Sequence, residues 1–82
     1  METAFILIHT QPGSEEKVAK DLRKIRGIKE AYVVFGEYDV IAKVQAWTRE
    51  GINNLVASHI QKINGVKNLH VNLVIDINMP YL

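Results

Sequence analysis

A short internal repeat constrains this chain more than any other feature of its sequence. The segment KIRGIK, residues 24–29, returns as KINGVK, residues 62–67, after an interval of 38 residues. In each copy a segment of helical periodicity ends at a glycine and a strand-like run begins. Self-similarity at this spacing indicates two copies of one supersecondary unit. Because 82 residues are too few for two separate cores, we predict a single domain over residues 1–82.

The first copy has the pattern strand, helix, strand. Residues 4–10, AFILIHT, form an apolar run that ends at the turn signal QPGS. Ser14 is expected to cap a helix that ends at Gly27, and residues 28–35, IKEAYVVF, are the second strand. The apolar stripe of the helix is Val18, Leu22 and Ile25.

The second copy repeats this order. Residues 38–46, YDVIAKVQA, form a strand, Thr48 is expected to cap a helix, Gly65 to end it, and residues 66–77 form the last strand. The helix is expected to place Ile52, Leu55, Val56, His59 and Ile63 on one side. The order βαββαβ predicts an α+β, ferredoxin-like fold: a four-stranded antiparallel sheet with two helices on one face.

The opposite face of the sheet is expected to be a contact surface. Strand alternation places Tyr38, Val40, Ala42 and Val44 beneath the helices, whereas the first strand is apolar on both sides. Two helices cover only one face, so an apolar patch is left on the other, and such patches mark partner surfaces. We therefore predict a homodimer joined sheet to sheet; the predicted interface residues are Ile6, Ile8, Ile41 and Val74. The alternative is a monomer with one solvated face.

Composition excludes several functional classes. The chain has no cysteine and a net charge of +1, which gives no electrostatic argument for nucleic acid or anionic membranes. No apolar stretch reaches membrane length, so we expect a soluble, cytoplasmic protein. His9 and His70 lie on strands expected to be neighbours, with Asp76 further along, but the spacing of a metal site is missing. We expect no metal, no cofactor and no catalysis.

The segment VVFGEYDVIAKV, residues 33–44, is the main candidate site. Gly36 suits a two-residue type II′ turn, whose backbone amides can bind a carboxylate. Asp39 can accept a hydrogen bond from an ammonium group, and Tyr38 adds an amphipathic wall. These groups suit the two ends of a free amino acid. In the alternative interpretation, Asp39 only bonds local amides and Tyr38 packs under a helix.

Three motifs give the chain a resemblance to a known family. PG-x-EE at residues 12–16, V-x-G-x-YD at residues 34–39 and NGVK at residues 64–67 resemble the effector-binding, or RAM, domain of Lrp/AsnC transcription regulators. The resemblance implies the same fold, dimers that assemble into octameric or decameric rings, and amino-acid effectors bound near the hairpin. The ligand-binding candidates are Val34, Gly36, Glu37, Tyr38, Asp39, His70 and Asn72.

The first strand begins at once, without the helix-turn-helix of the family's regulators. The resemblance therefore implies a stand-alone amino-acid-sensing and oligomerisation module, with itself and a full-length regulator as partners. One alternative is a small dimeric α/β-barrel enzyme, similar to monooxygenases, that uses Lys43, His70, Asn72 and Asp76 on the uncovered face. Another is a purely structural oligomer.

Overall fold

The computed structural model describes residues 1–75 and confirms the ferredoxin-like fold. Its elements are β1 (Glu2–Thr10), α1 (Glu15–Arg23), β2 (Ile28–Val33), β3 (Val40–Ala46), α2 (Arg49–Leu55), a π-helical segment (Val56–Ile60) and β4 (Val66–Leu73). The strands are antiparallel and lie in the order β2-β3-β1-β4, so β1 and β3 are central.

The core lies between one face of the sheet and the two helices. Ile6 of β1 lies opposite Ala42 of β3, and Ile8 lies opposite Val40. All four side chains are fully buried, as are Val18 and Leu22 of α1 and Ile52 of α2. The alternation predicted for β3 from Val40 to Val44 is confirmed. Both helices therefore cover the same side of the sheet, and the other side has no helix among the described residues.

The predicted placement of Ile6 and Ile8 on the uncovered face was wrong. Both are fully buried under the helices, whereas Phe5 is 40% exposed and Leu7 is half-buried on the opposite side. β1 is apolar on both sides, so its composition does not tell which half faces the core. The pairing of Leu7 with Ile41 places Ile41 on the uncovered face, as predicted.

Cap and turn residues mark the start of α2 and the turns that precede β2 and β4. The Thr48 hydroxyl accepts a hydrogen bond from the Gly51 amide at 2.9 Å, so the predicted cap of α2 is confirmed. Gly27 and Gly65 have left-handed φ angles of +100° and +109°, but α1 ends at Arg23 and the π-helical segment at Ile60. The predicted helix ends at these glycines were therefore wrong, and each glycine instead lies directly before a strand. Ser14 precedes α1 but makes no side-chain capping bond.

The second helix changes its winding at Val56. The π-helical segment Val56–Ile60 turns the helix so that Ile60 is fully buried and His59 is exposed. A regular 3.6-residue period had placed His59 on the apolar side. That prediction was wrong because one wider turn shifts every later side chain around the axis.

The connection from β2 to β3 is wider than the predicted two-residue turn. Positive φ angles among the described glycines occur at Gly13, Gly27 and Gly65, and not at Gly36. The Val34 amide donates to the Asp39 carbonyl at 2.9 Å, which encloses residues 35–38 in a loop. We call residues 34–39 the hairpin loop. Because β3 begins at Val40, Tyr38 is outside the strand and not beneath a helix, contrary to the prediction.

The last strand is described to its end at Leu73, after which the Val74 amide donates to the Thr3 carbonyl at 2.8 Å. The predicted continuation to residue 77, including Asp76, lies outside the described residues. No helix within residues 1–75 has the length and apolar character needed to cross a membrane.

The positions of the isoleucines predict that the same substitution, isoleucine to alanine, lowers the free energy of unfolding by different amounts at two sites. Ile6→Ala should lower the free energy of unfolding by about 2–5 kcal/mol, because it leaves a cavity in the core. Ile75→Ala is the matched control, since Ile75 is 72% exposed, and it should cost little. Urea denaturation measures both variants. Equal costs would contradict the assigned orientation of β1.

Candidate functional site

Asp39 joins the hairpin loop to the end of β1. Its carboxylate Oδ2 accepts a hydrogen bond from the Thr10 amide at 2.9 Å, and its own amide donates to the Ile8 carbonyl at 3.0 Å. Thr10 is only 5% exposed, so this carboxylate satisfies a buried donor. The alternative interpretation expected Asp39 to bond local amides of the hairpin, whereas the amide that it accepts belongs to Thr10 of β1. A carboxylate has further acceptor positions, so the Oδ1 side can still bind a donor.

His9 connects the hairpin loop with β4. Its Nε2 lies 2.8 Å from the Glu37 carbonyl oxygen, and its Nδ1 lies 2.8 Å from Oδ1 of Asn68. A backbone carbonyl only accepts, so Nε2 carries a proton and donates it. The bond to Asn68, and secondly the bond to the Glu37 carbonyl, raises the pKa of His9 above its ordinary value.

Three aromatic rings meet beside this contact. The His9 and Tyr38 rings are stacked, with centroids 4.6 Å apart and planes inclined by 15°. The His70 ring stands edge-on to both, at 5.9 Å from Tyr38 and 6.5 Å from His9. The expected proximity of His9 and His70 is confirmed. We call these residues the aromatic cluster; they bring β1, the hairpin loop and β4 together at one end of the uncovered face.

An open groove of about 590 Å³ lies on another side of the hairpin loop, next to the start of α1. Its lining residues are Glu15, Glu16, Val33, Val34, Phe35, Gly36 and Asp39. The ring of Phe35 is fully exposed. The groove thus combines carboxylates from α1 and the hairpin loop with an apolar wall.

The predicted ligand residues are not brought together at one place. Val34, Gly36 and Asp39 line the groove, whereas Tyr38 and His70 belong to the aromatic cluster. Asn72 is exposed on the uncovered face opposite Phe5, apart from the groove.

The groove offers both kinds of group that an amino acid requires. Phe35 and Gly36 line the groove, and their amides donate to no acceptor within residues 1–75; successive amides of this kind can bind a carboxylate. Glu15, Glu16 and Asp39 can accept charge-assisted hydrogen bonds from an ammonium group.

The described residues give less support to a metal site or to the enzyme interpretation. Residues 1–75 contain no group of three or more histidine, aspartate or glutamate side chains placed to hold a metal ion. Lys43, a candidate of the enzyme interpretation, has its Nζ 3.8 Å from a Glu30 carboxylate oxygen. Asp76, the acidic member of that set, lies outside the described residues.

Sequence reasoning missed several residues that shape the site. Thr10 and Asn68 matter because they bind Asp39 and His9, and these pairs are distant in sequence. The pairing of β1 with β4, which sets His9 opposite Asn68, is the signal that would have revealed one of them. Glu15 and Glu16 were recognised only as part of a helix start, not as groove residues.

Comparison with known proteins identifies the family. The profile described as "Lrp/AsnC ligand binding domain" matches residues 3–79. The chain belongs to the Lrp/AsnC ligand-binding-domain family. An HTH-type transcriptional regulator of Pyrococcus furiosus is 37% identical over 67 residues, which are 78% of this chain and 45% of the relative. The regulator FL11 of the same organism is 33% identical over 75 residues, or 92% of this chain and 49% of FL11.

The Lrp/AsnC domain therefore spans about half the length of the curated relatives that it matches. Solved structures of similar length also match it. FFRP-DM1 has a TM-score of 0.86 and 37% identity, covering 92% of this chain and all of the other. PHS023 of Pyrococcus horikoshii has a TM-score of 0.87 and 34% identity, covering 100% of this chain and 99% of the other.

The bond between Asp39 and Thr10 predicts how substitutions affect stability. Asp39→Ala should lower the free energy of unfolding by about 1–3 kcal/mol, because it leaves the buried Thr10 amide without an acceptor. Asp39→Asn keeps an acceptor oxygen and should cost less. Urea denaturation of both variants tests this order; a loss in Asp39→Asn as large as in Asp39→Ala would contradict the role of the hydrogen bond.

Proposed function

We propose that this Lrp/AsnC domain is a sensing and oligomerisation module whose effector is an amino acid bound in the groove beside the hairpin loop. The observation that carries this proposal is the composition of the groove. It combines the backbone amides of Phe35 and Gly36, which donate to no acceptor within residues 1–75, with the carboxyl-bearing residues Glu15, Glu16 and Asp39. A free amino acid carries a carboxylate that these amides can bind and an ammonium group that these carboxylates can bind.

Size and polarity agree with a small zwitterion. A volume of about 590 Å³ accommodates a free amino acid, and the groove is open to solvent on one side. The exposed ring of Phe35 and the side chains of Val33 and Val34 supply apolar surface for an aliphatic or aromatic side chain. A partner subunit that covers the groove would strengthen these contacts by excluding water.

The relatives support an amino acid as the ligand class. A transcriptional regulator of Neisseria meningitidis has been solved as a complex with L-Met, and it shares the fold of this domain with a TM-score of 0.82. At 18% identity this likeness concerns the fold alone. Effector identity must therefore be determined by binding experiments on this chain.

The uncovered face supports the oligomerisation part of the proposal. Phe5, Leu7, Ile41 and Val74 contribute apolar surface there, and polar residues such as Gln45 and Asn72 lie around it. Contiguous apolar surface with a polar rim is typical of protein interfaces. We propose a homodimer joined through this face, with dimers assembling into an octameric or decameric ring.

A full-length regulator of the same family is the proposed second partner. The two helices of residues 1–75 both pack on the sheet, and no helix-turn-helix is present in this described part. The curated relatives are HTH-type regulators of about twice the matched length. Mixed assembly would let this domain pass its ligand response to such a regulator in the cytoplasm.

A purely structural oligomer is the second candidate function, and one observation favours it. Asp39, the residue assigned to the effector ammonium, already accepts the Thr10 amide. Its carboxylate therefore has a structural reason to be there without any ligand. The proposed absence of catalysis agrees with the family, which is a ligand-binding domain.

Ligand binding is tested by native mass spectrometry with each of the standard amino acids, followed by calorimetry with any that bind. We expect one to add mass per site or change the assembly. Glu16→Gln should weaken its binding by about threefold to tenfold, because it removes one charged acceptor from the groove. Glu50→Gln is the matched control on α2, away from the groove. If no amino acid adds mass or changes the assembly, the result would support the structural oligomer.

The interface is tested by one charge substitution. Ile41→Arg should convert the dimer to a monomer, because it would bury an unpaired charge between two sheets. Trp47→Arg is the control, since Trp47 is 81% exposed and lines a groove with Gly51 and Leu55 of α2. Sedimentation velocity distinguishes the two states. A dimeric Ile41→Arg protein would show that another surface joins the subunits.

A further inference from the structure

We propose that His9 is a positioning residue: as an imidazolium it holds the hairpin loop against β1 and β4, so that the placement of the loop depends on a bound proton. The part that concerns ligand affinity rests on the proposed function. The part that concerns the loop itself applies to the ligand-free protein and stands independently.

The geometry of the two ring nitrogens is the starting point. Nε2 lies 2.8 Å from the Glu37 carbonyl oxygen and Nδ1 lies 2.8 Å from the Asn68 carboxamide oxygen. Both partners are acceptors in this arrangement. A neutral imidazole has one donor and one acceptor nitrogen, whereas an imidazolium has two donors. Only the protonated ring donates both hydrogen bonds.

The groups around His9 favour its positive charge. The carboxylates of Glu37 and Asp39 face it from the hairpin loop, and the Tyr38 ring is stacked against it. His70 is the titratable group that faces it from β4, edge-on at 6.5 Å.

Hydrogen bonds from His9 join the hairpin loop and β4 to β1, beside the ring contacts of Tyr38 and His70. Glu37 is at the outer part of the hairpin loop and Asn68 is near the start of β4, and His9 of β1 bonds to both. The Val34–Asp39 backbone bond closes the loop at its base, and Asp39 is held by Thr10. His9 is thus the contact that fixes the outer half of the loop.

The direction of the pH effect follows from linkage. The pKa of His9 is raised in the folded protein, so its contribution to stability is fully present below the unfolded value of about 6.5. This contribution is lost as the pH rises through the higher folded pKa. The loop should be held firmly in mildly acidic solution and released towards alkaline pH.

Release of the loop would alter the groove, because both use the same backbone. Phe35 and Gly36 carry the amides assigned to the effector carboxylate, and Glu37, the next residue along the loop, is bound by His9. If the effector favours the held loop, its binding will take up a proton near the pKa of His9.

The first experiment is an NMR titration of the ligand-free protein. It follows the His9 ring protons in the wild type, in Asn68→Ala and in the control Asn54→Ala, whose substituted residue is exposed on α2. We expect Asn68→Ala to lower the pKa of His9 and Asn54→Ala to leave it unchanged. An unchanged or raised pKa in Asn68→Ala would overturn the proposal, since Asn68 would then not accept a hydrogen bond from the imidazolium.

The second experiment measures hydrogen exchange at the Val34 amide, which closes the loop. The protection factor in the wild type should fall by roughly threefold to tenfold as the pH rises through the His9 titration. A change of this size corresponds to the loss of about one hydrogen bond. His9→Leu keeps a side chain of similar size without donors, and its protection should be low and independent of pH. A wild-type protection factor that stays constant across the His9 titration would overturn the proposal.

Ligand affinity is measured separately at pH values on either side of the titration. Tighter binding at the lower pH in the wild type, and no pH dependence in His9→Leu, would extend the proposal to the effector. If no amino acid binds at any pH, the proposed function fails, while the titration and exchange results still decide the role of His9.

Discussion

The sheet of this protein has helices on only one of its two faces, and most of the remaining features depend on that asymmetry. β1 lies between β3 and β4, so its side chains alternate between a fully buried face with Ile6 and Ile8 and an outer face with Phe5 and Leu7. The buried half forms the core with both helices. The outer half leaves apolar surface exposed, which is why a second copy of the chain is the proposed partner.

The fold could be predicted from sequence because its signals are local. The repeated segment marks two equivalent units, Gly27 and Gly65 take a left-handed conformation directly before a strand, and Thr48 caps α2. The errors arose where the types of the residues themselves do not decide the outcome. The inward half of β1 is decided by its pairing with β3, and the position of His59 by a π-helical turn.

The candidate site could be predicted in part for the same reason. The hairpin segment was recognised by its residue types, and the groove contains three of the residues selected from it. The bonds that fix the loop were not predictable, since they join Asp39 to Thr10 and His9 to Asn68 across the sheet. Tyr38 was assigned to the core by strand alternation, and it lies instead against His9 because the strand begins two residues later.

The apolar character of both sides of β1 has a consequence for how the strand finds its place. If β1 slid by one residue along its neighbours, isoleucines would exchange places with phenylalanine and leucine, and hydrophobic burial alone would discriminate weakly between the two alignments. The polar contacts at its end discriminate strongly, because the Thr10 amide meets the Asp39 carboxylate and His9 meets Asn68 only in the observed alignment. The hairpin loop thus helps to set the register of the central strand. The segment proposed to bind an effector therefore also determines which side chains of β1 face the helices.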